Sequence, residues 1–358
     1  MNIKIGVVAV EASGDLLAIE ILSELKKNLK DFEVIGVGGE SLKEFGEFKS
    51  REDIEAMGII EPLLNFFKIN KFRKKIINWF LKENIDIFIG IDGPDFNFKI
   101  HQVLSKFNIR TIHMVCPSVW AWRPGRVKNF KFLDHMLCLF PFELNFCSTT
   151  KSKSFCVGHP LFNYEHKEEK RDTKLITLMP GSRKSEIKNN LPVMLNGLKK
   201  FDQDNNYSAI IPVNNKTSKD LIEEILEGKE GVKVVIGESK DILKSSYMAI
   251  VCSGTATLEA FVTETPCITI YKTEILNYLI LSRLVKAKFI SLPNIICNEQ
   301  IYKELIQDKF NSETLCDELK RIISSRETIT SRIRFHKKNL PGSNFSEVAS
   351  YLHENYRD

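Results

Sequence analysis

The chain has 358 residues, 43% of them hydrophobic and 27% charged, with a formal net charge of +5. A length about twice that of a common domain makes two domains the expectation, and the composition fits a soluble globular protein with a sizeable core. The positive balance is too mild to imply nucleic acid, and no stretch approaches about 18 apolar residues, so nothing reads as a membrane span.

Strand-like and helix-like runs alternate almost throughout, the pattern of parallel α/β architecture. In the first half the predicted strands are Ile3–Val10, Glu33–Val37, Ile85–Ile91, Arg110–Val115 and His135–Phe140, with helical patterns such as Leu16–Leu29 and Phe98–Phe107 between them. The apolar run Ile5–Val10 is far too short for a secretory h-region. A second series begins with Lys174–Met179 and continues through Tyr207–Pro212, Val232–Ile236, Tyr247–Val251 and Cys267–Tyr271. Two successive series predict two Rossmann-like parallel-sheet domains facing each other across a cleft. The charged stretch Tyr164–Asp172 marks the boundary, so the domains are read as 1–165 and 166–340. The last third reads as helical: Glu299–Asp308, Ser312–Ser324, Thr328–Lys337 and Phe345–Glu354. The terminal segment 341–358 after Pro341-Gly342 packs on the first domain or on a partner chain, and the sequence does not choose between them.

Two stretches have an interfacial character. Ile60–Leu81 interleaves Phe66, Phe67, Phe72, Trp79 and Phe80 with Lys68, Lys71, Arg73, Lys74 and Lys75. A basic amphipathic helix carrying Phe and Trp suits a membrane surface, though a core-packed helix with a solvated basic face is the commoner case. Ile275–Val285 is a weaker example.

The candidate chemistry sits at strand-to-helix junctions, where doubly wound sheets bind ligands. Glu11 and Ser13 follow the first strand, with Ser13 as the predicted cap of the next helix, though a plain capping turn explains them as well. G-x-G-x-x-G is absent, so nicotinamide or flavin binding is not expected. Asp92 ends an otherwise apolar strand ahead of Pro94, a position for a general base or simply for a turn; Asp95 is read as capping the following helix. The stretch Pro117–Lys128 combines Trp120 and Trp122 with Arg123 and Arg126, a mixture that suits sugar or phosphate contact or an ordinary packed loop.

In the second half, Pro180-Gly181-Ser182-Arg183-Lys184-Ser185 is a tight turn opening a helix, fit for a phosphate or merely a capped helix with surface cations. Ser253, Gly254, Thr255 and Ala256 form a second small-residue turn that lets backbone amides approach phosphate, with Glu259 about one turn further on, in reach of a ribose diol. Metal signatures are missing: the eight cysteines are nowhere closer than nine positions apart, no His-x-x-x-His occurs, and Asp202-Gln203-Asp204 reads as a solvated loop. Cys138, Cys252 and Cys267 lie in apolar runs and are expected as buried reduced thiols, in keeping with a reducing cytosol.

At these motifs the chain resembles lipid-A-disaccharide synthases, glycosyltransferases of the GT-B fold. The resemblance runs in order through E-A-S-G-D at 11–15, G-I-D-G-P-D-F-N at 90–97, P-S-V-W-A-W-R at 117–123, P-F-E at 141–143 and V-G-H-P at 157–160. It continues with P-G-S-R-K-S-E-I at 180–187, S-G-T-A-T-L-E at 253–259 and S-L-P-N at 291–294. Val10 departs from the Gly usual before the Glu, Gly93 from a common Ala and Cys116 from a common Ser. The resemblance implies transfer of glucosamine from UDP-2,3-diacylglucosamine to 2,3-diacylglucosamine 1-phosphate, with inversion, without cofactor or metal, by a peripheral enzyme at the cytoplasmic face of the inner membrane. It implies that Asp92 is the general base, that Arg183 stabilises departing UDP, and that Ser182, Ser253, Gly254, Thr255, Ala256, Glu259 and Asn294 serve the donor. Glu11, Ser13, Arg123 and Arg126 fall on the acceptor side. It also implies a homodimer exchanging the helical C-terminal extension. Competing expectations are a UDP-sugar 2-epimerase on the same fold and a non-catalytic UDP-sugar-binding membrane scaffold.

Overall fold

A computed structural model describes residues 3–28, 32–51, 62–119, 124–148, 151–164, 171–203, 206–228, 231–272 and 288–355. It divides into two units, one made of Met1–Pro160 with Gly342–Asp358, the other of Leu161–Pro341.

The first unit is a seven-stranded parallel sheet in the order β3-β2-β1-β4-β5-β6-β7. Its strands are β1 (Ile3–Ala9), β2 (Phe32–Gly38), β3 (Glu47–Ser50), β4 (Ile87–Ile91), β5 (Arg110–Met114), β6 (His135–Cys138) and β7 (Lys153–Cys156). The central strands are apolar on both faces because helices cover both sides. All of β4 is buried, as are five of the seven residues of β1. Helices 12–28, 62–82 and 94–104 supply the crossovers, and the terminal helix Ser346–Asn355 packs against the helix Ala12–Asn28 of this same unit. Phe345, Val348, Ala349 and Leu352 are buried there, and the Asn344 amide donates to the Val157 carbonyl at 2.7 Å.

The second unit is a six-stranded parallel sheet in the order β10-β9-β8-β11-β12-β13. Its strands are β8 (Asp172–Met179), β9 (Ser208–Val213), β10 (Val232–Ile236), β11 (Ser246–Cys252), β12 (Cys267–Tyr271) and β13 (Lys303–Ile306). Three sequence expectations are corrected here. The run Glu299–Asp308 is not a helix: it holds β13, which pairs with β12, followed by a 3-10 turn. The two predicted helices 312–324 and 328–337 are one continuous helix, Ser312–Lys337, because the intervening Ser325-Arg326-Glu327 contains no breaker. Asp202 is buried rather than solvated, its carboxylate accepting from the Asn206 and Tyr207 amides at 2.8 and 2.9 Å.

In both sheets the chain first builds outward to one side of the opening strand and then returns to build on the other. The reversals fall between β1 and β4 and between β8 and β11. The crevice at the carboxyl ends of such a pair is where open α/β sheets bind ligands.

The helix Pro62–Lys82 divides along its length. Ile76, Ile77 and Phe80 are buried in the core beside β1 and β4, and Lys49 Nζ stands 3.7 Å over the Trp79 ring. Nearer the start, Phe67 is 80% exposed and Lys68, Lys71, Lys74 and Lys75 face solvent. Ile275–Val285 lies outside the described residues. Among the described residues no helix is long and apolar enough to cross a membrane.

Candidate active site

In the first unit, β4 ends in two consecutive left-handed residues, Asp92 (φ 51°) and Gly93 (φ 47°). Left-handed backbone at a residue with a side chain costs roughly 1–2 kcal/mol, so it persists only where neighbours enforce it. Here the Asp92 amide donates to the Met114 carbonyl at 2.9 Å. The fully buried Asn97 donates its Nδ2 to the carbonyls of Asp92 (2.8 Å) and Ile91 (3.3 Å). Pro94 then starts the helix with its φ already set. The result is a carboxylate held just past the carboxyl end of a central strand. Burial raises the Asp92 pKa, while a hydrogen bond from the Gly93 amide and the charge of Arg126 pull the other way.

Asp95 does not cap the helix; the N-cap is Gly93, without a side-chain bond, and Asp95 instead meets Arg126 at 2.5 Å. Arg73, from the basic helix 62–82, donates to the Asp95 carbonyl at 3.3 Å and lies 5.1 Å from the Phe96 ring. Arg126 and Arg73 thus gather beside the Asp92 turn from two different elements. Arg123, Trp120 and Trp122 lie outside the described residues.

Glu11 and Ser13 lie at the end of β1, the strand beside β4, and both are exposed. The helix begins at Ala12, so Ser13 sits inside its first turn and is not its cap. The buried carboxylate here is Asp15, which the sequence reading passed over. It ion-pairs with Arg51 and accepts the Gly39 amide at 3.1 Å, tying the end of β2 to the first helix.

The departures Val10 and Gly93 touch. A Cβ added to Gly93 would lie 2.7 Å from Val10 Cγ2 and 2.9 Å from its Cβ, so Val10 occupies the space that an alanine at 93 would need. Gly93→Ala alone is expected to cost about 2–4 kcal/mol, from left-handed strain plus overpacking. Val10→Gly is itself destabilising because Val10 is buried in the core, but the double variant should lose about 1–2 kcal/mol less than the sum of the two single losses. A double-mutant cycle by urea unfolding that proves additive would remove the contact from the account of this turn.

The second unit carries two turns at the ends of the adjacent strands β8 and β11. Asn190 is fully buried and donates to the Pro180 carbonyl at 2.7 Å and toward Cys252 Sγ at 3.6 Å, linking the two turns. Gly181 has φ 119°, and a side chain there would also collide with Glu186. Arg183 is the N-cap of the helix Lys184–Phe201. Glu186, three residues on, accepts the Ser182 and Arg183 amides on one oxygen (3.1 and 3.2 Å) and the Arg183 guanidinium on the other (2.7 Å). The donors expected to face a phosphate are therefore held by the helix's own carboxylate.

At the other turn Gly254 has φ 151° and is the N-cap of the helix Thr255–Val262; Gly254 and Thr255 are exposed and Ala256 is half-buried. The Ser253 hydroxyl donates to the Ile290 carbonyl at 2.8 Å. Glu259 accepts the Ser239 hydroxyl at 2.7 Å, and burial raises its pKa against that bond and the charge of Lys240. Asn294 is fully buried. Its Nδ2 donates to the Tyr302 carbonyl and to Glu304, and its Oδ1 accepts the Tyr302 amide, each at 2.8 Å. Its amide is spent on internal bonds, so it braces the segment after residue 290 rather than facing outward. Glu304 completes that brace by accepting the Ile290 and Ser291 amides. It lies on the strand the sequence suggested was a helix, so no local signal pointed to it.

His113 is fully buried and its ring meets that of His101 at 3.2 Å; burial lowers both pKa values, that of His113 to about 3. His159 stacks on Phe140 and burial lowers it to about 4. Burial thus disfavours the charged form of all three imidazoles.

The family model described as lipid-A-disaccharide synthetase matches residues 5–350. The lipid-A-disaccharide synthase of Acinetobacter baylyi is 34% identical over 383 residues, covering 98% of this chain and 96% of the relative. That of Psychromonas ingrahamii is 35% identical over 355 residues, covering 94% of this chain and 93% of the relative. Among solved structures, the UDP-GlcNAc 2-epimerase of Neisseria meningitidis bound to UDP-GlcNAc matches at TM-score 0.65 and 11% identity over 99% of each chain. Phytolacca americana UGT2, complexed with UDP-2fluoro-glucose and pterostilbene, matches at TM-score 0.65 and 9% identity over 99% of this chain and 100% of that one. These structural likenesses establish the fold, two parallel-sheet α/β domains of the GT-B type. Taken with the family match along nearly its whole length, the chain belongs to the lipid-A-disaccharide synthase family and is a glycosyltransferase.

Proposed function

We propose that the enzyme transfers glucosamine from UDP-2,3-diacylglucosamine to the 6-hydroxyl of 2,3-diacylglucosamine 1-phosphate, inverting the anomeric carbon and releasing UDP. The observation that carries this reading is the coincidence of the candidate residues with both chain reversals: Asp92 and Glu11 end β4 and β1, and the turns at 180–183 and 253–256 end β8 and β11.

In this mechanism Asp92 accepts the proton of the attacking hydroxyl. Its turn is locked by backbone bonds, so the carboxylate stays aimed, and partial burial makes it a stronger base than an exposed aspartate. Arg183 and the amides of Ser182 and Arg183 stabilise charge on the departing diphosphate, with the helix dipole behind them. Ser253, Gly254, Thr255 and Ala256 hold phosphate oxygens, chiefly through backbone donors. Glu259 takes the ribose hydroxyls after leaving Ser239. Asn294 acts through the segment it braces. Glu11 and Ser13 line the acceptor side, and Arg126 with Arg73 favours the acceptor phosphate; Arg123 belongs to the same group by sequence. The exposed basic and aromatic start of helix 62–82 rests on an anionic lipid surface, which suits acylated substrates. On this reading the enzyme works at the cytoplasmic face of the inner membrane.

Mass spectrometry after mixing the protein with both acylated substrates in detergent tests the proposal. A disaccharide 1-phosphate together with UDP is expected. A 2-epimer formed from unacylated UDP-sugar, or UDP binding without product, overturns it.

A further inference from the structure

Cys116, Cys138 and Cys147 are 22 and nine positions apart in the chain, yet the structure brings them together. Cys116 follows the end of β5, Cys138 is the last residue of β6 and Cys147 closes the short helix Leu144–Cys147. The three sulfur atoms lie within 4.8 Å of one another, and those of Cys138 and Cys147 are 3.7 Å apart. Sulfurs about 2.3 Å from one pyramidal ion, with bond angles not far above a right angle, lie roughly 3.3–3.5 Å apart, so the Cys138–Cys147 pair needs a contraction of a few tenths of an ångström and wider pairs need more. Among the described residues it is the one grouping of three or more such side chains that brings ligand atoms this close.

We propose that Cys116, Cys138 and Cys147 form a three-thiolate binding site for a trivalent thiophilic ion of the arsenic group. The choice of ion follows from charge and surroundings. The three residues are 3%, 0% and 1% exposed and share a cluster with Phe98, Val119, Phe130, Leu133 and Met136. A net charge in such a place is heavily penalised. Three thiolates on copper(I) leave two negative charges and on zinc(II) one, and zinc would also lack the fourth ligand it favours in structural sites. With arsenic(III) the product is neutral. Trihydroxyarsenic(III) plus three thiols gives the tris-thiolate plus three waters. Three As–O bonds and three S–H bonds break, three As–S bonds form, and each thiol proton leaves with a departing hydroxyl as water. No oxidant is consumed.

The buried Glu143 carboxylate accepts the Leu139 and Phe140 amides on one oxygen at 2.8 and 3.0 Å, and it is not among the ligand atoms that lie within 4.8 Å of one another, so it does not add a fourth, charged ligand. Entry requires local opening, which makes capture slow and release slower. The site ties the ends of β5 and β6 together just before and after the segment that carries Arg126, so a loaded site stiffens that part of the first unit.

The full-length reduced protein is incubated with arsenite, desalted and analysed for arsenic, and the mass of the still-folded adduct is then measured by native mass spectrometry. About one arsenic per chain and a mass gain of one arsenic less three protons are expected, as three thiolate ligands demand. X-ray absorption on the wild-type adduct should count three sulfur neighbours. Cys138→Ala and Cys147→Ala should lose retention while Cys156→Ala, in the strand beside Cys138, keeps it. Two sulfurs with an oxygen at arsenic, undiminished retention in the Cys138 variant, or displacement of bound arsenic by one equivalent of zinc or copper(I) would each overturn the proposal. The absorption measurement uses the native chain, so it decides even if a variant fails to fold.

Discussion

Asp92→Asn is expected to lower turnover by about 10²–10⁴-fold, the usual contribution of a positioned general base, while affinity for UDP stays unchanged. The asparagine keeps the shape and can still receive the Gly93 amide, but it cannot take a proton. The wild-type pH profile should carry the same signature. Burial raises the Asp92 pKa, so the acid limb of kcat/KM should fall at a pH above the ordinary aspartate range, and the substitution should abolish that limb. The sign for stability is opposite to that for activity. A carboxyl whose folded pKa is raised binds its proton more tightly in the folded state, so stability declines as pH climbs from the unfolded to the folded pKa. At neutral pH the asparagine variant should therefore unfold at the same or higher denaturant concentration. An inactive variant that is also less stable would mean that Asp92 serves the turn and not the chemistry, and near-normal turnover would remove it from the mechanism altogether.

Arg183→Ala should cost about 10²–10³-fold in kcat, as expected for losing a donor to the leaving group, and should weaken UDP binding as well. Unchanged UDP affinity would place the arginine elsewhere. The structure adds a second half to this experiment. Glu186 now holds the Ser182 and Arg183 amides and the Arg183 guanidinium, all of which the leaving diphosphate would use. Glu186→Gln should therefore move two observables in opposite directions. The helix loses charge-assisted capping and the protein loses about 1 kcal/mol of stability, while UDP binds several-fold more tightly because an anionic competitor is gone. Weaker UDP binding in this variant would show instead that Glu186 orients Arg183 toward the ligand.

Much of this was legible in the sequence, for identifiable reasons. Central parallel strands are buried on both faces, so Ile87–Ile91 and Ser246–Cys252 read as continuous apolar runs, bounded by small residues that start the next helix. Asp92 stood out because a charge at the end of such a run is anomalous. The Glu186 arrangement was not readable in this way, because its N-cap is Arg183 and not one of the Ser, Thr, Asp or Asn residues that mark a cap. Other features left no local trace. Strand β13 is four residues long and half polar, so its pattern does not separate from a helix until β12 supplies its partner. Asp15 with Arg51, and Asn294 with Glu304, are bonds between distant positions.

By itself the sequence determined the family, the alternation of strands and helices, and which junctions bear chemically useful side chains, because each depends on residues near one another in the chain. Only the tertiary structure decided that Val10 fills the space above Gly93, that Asn294 turns inward, that three scattered cysteines meet, and that the candidate residues stand at the two points where strand order reverses. The physical reason is the same in each case. A parallel sheet joins strands through long crossovers, so its neighbours are chosen by packing in space and not by proximity in the chain.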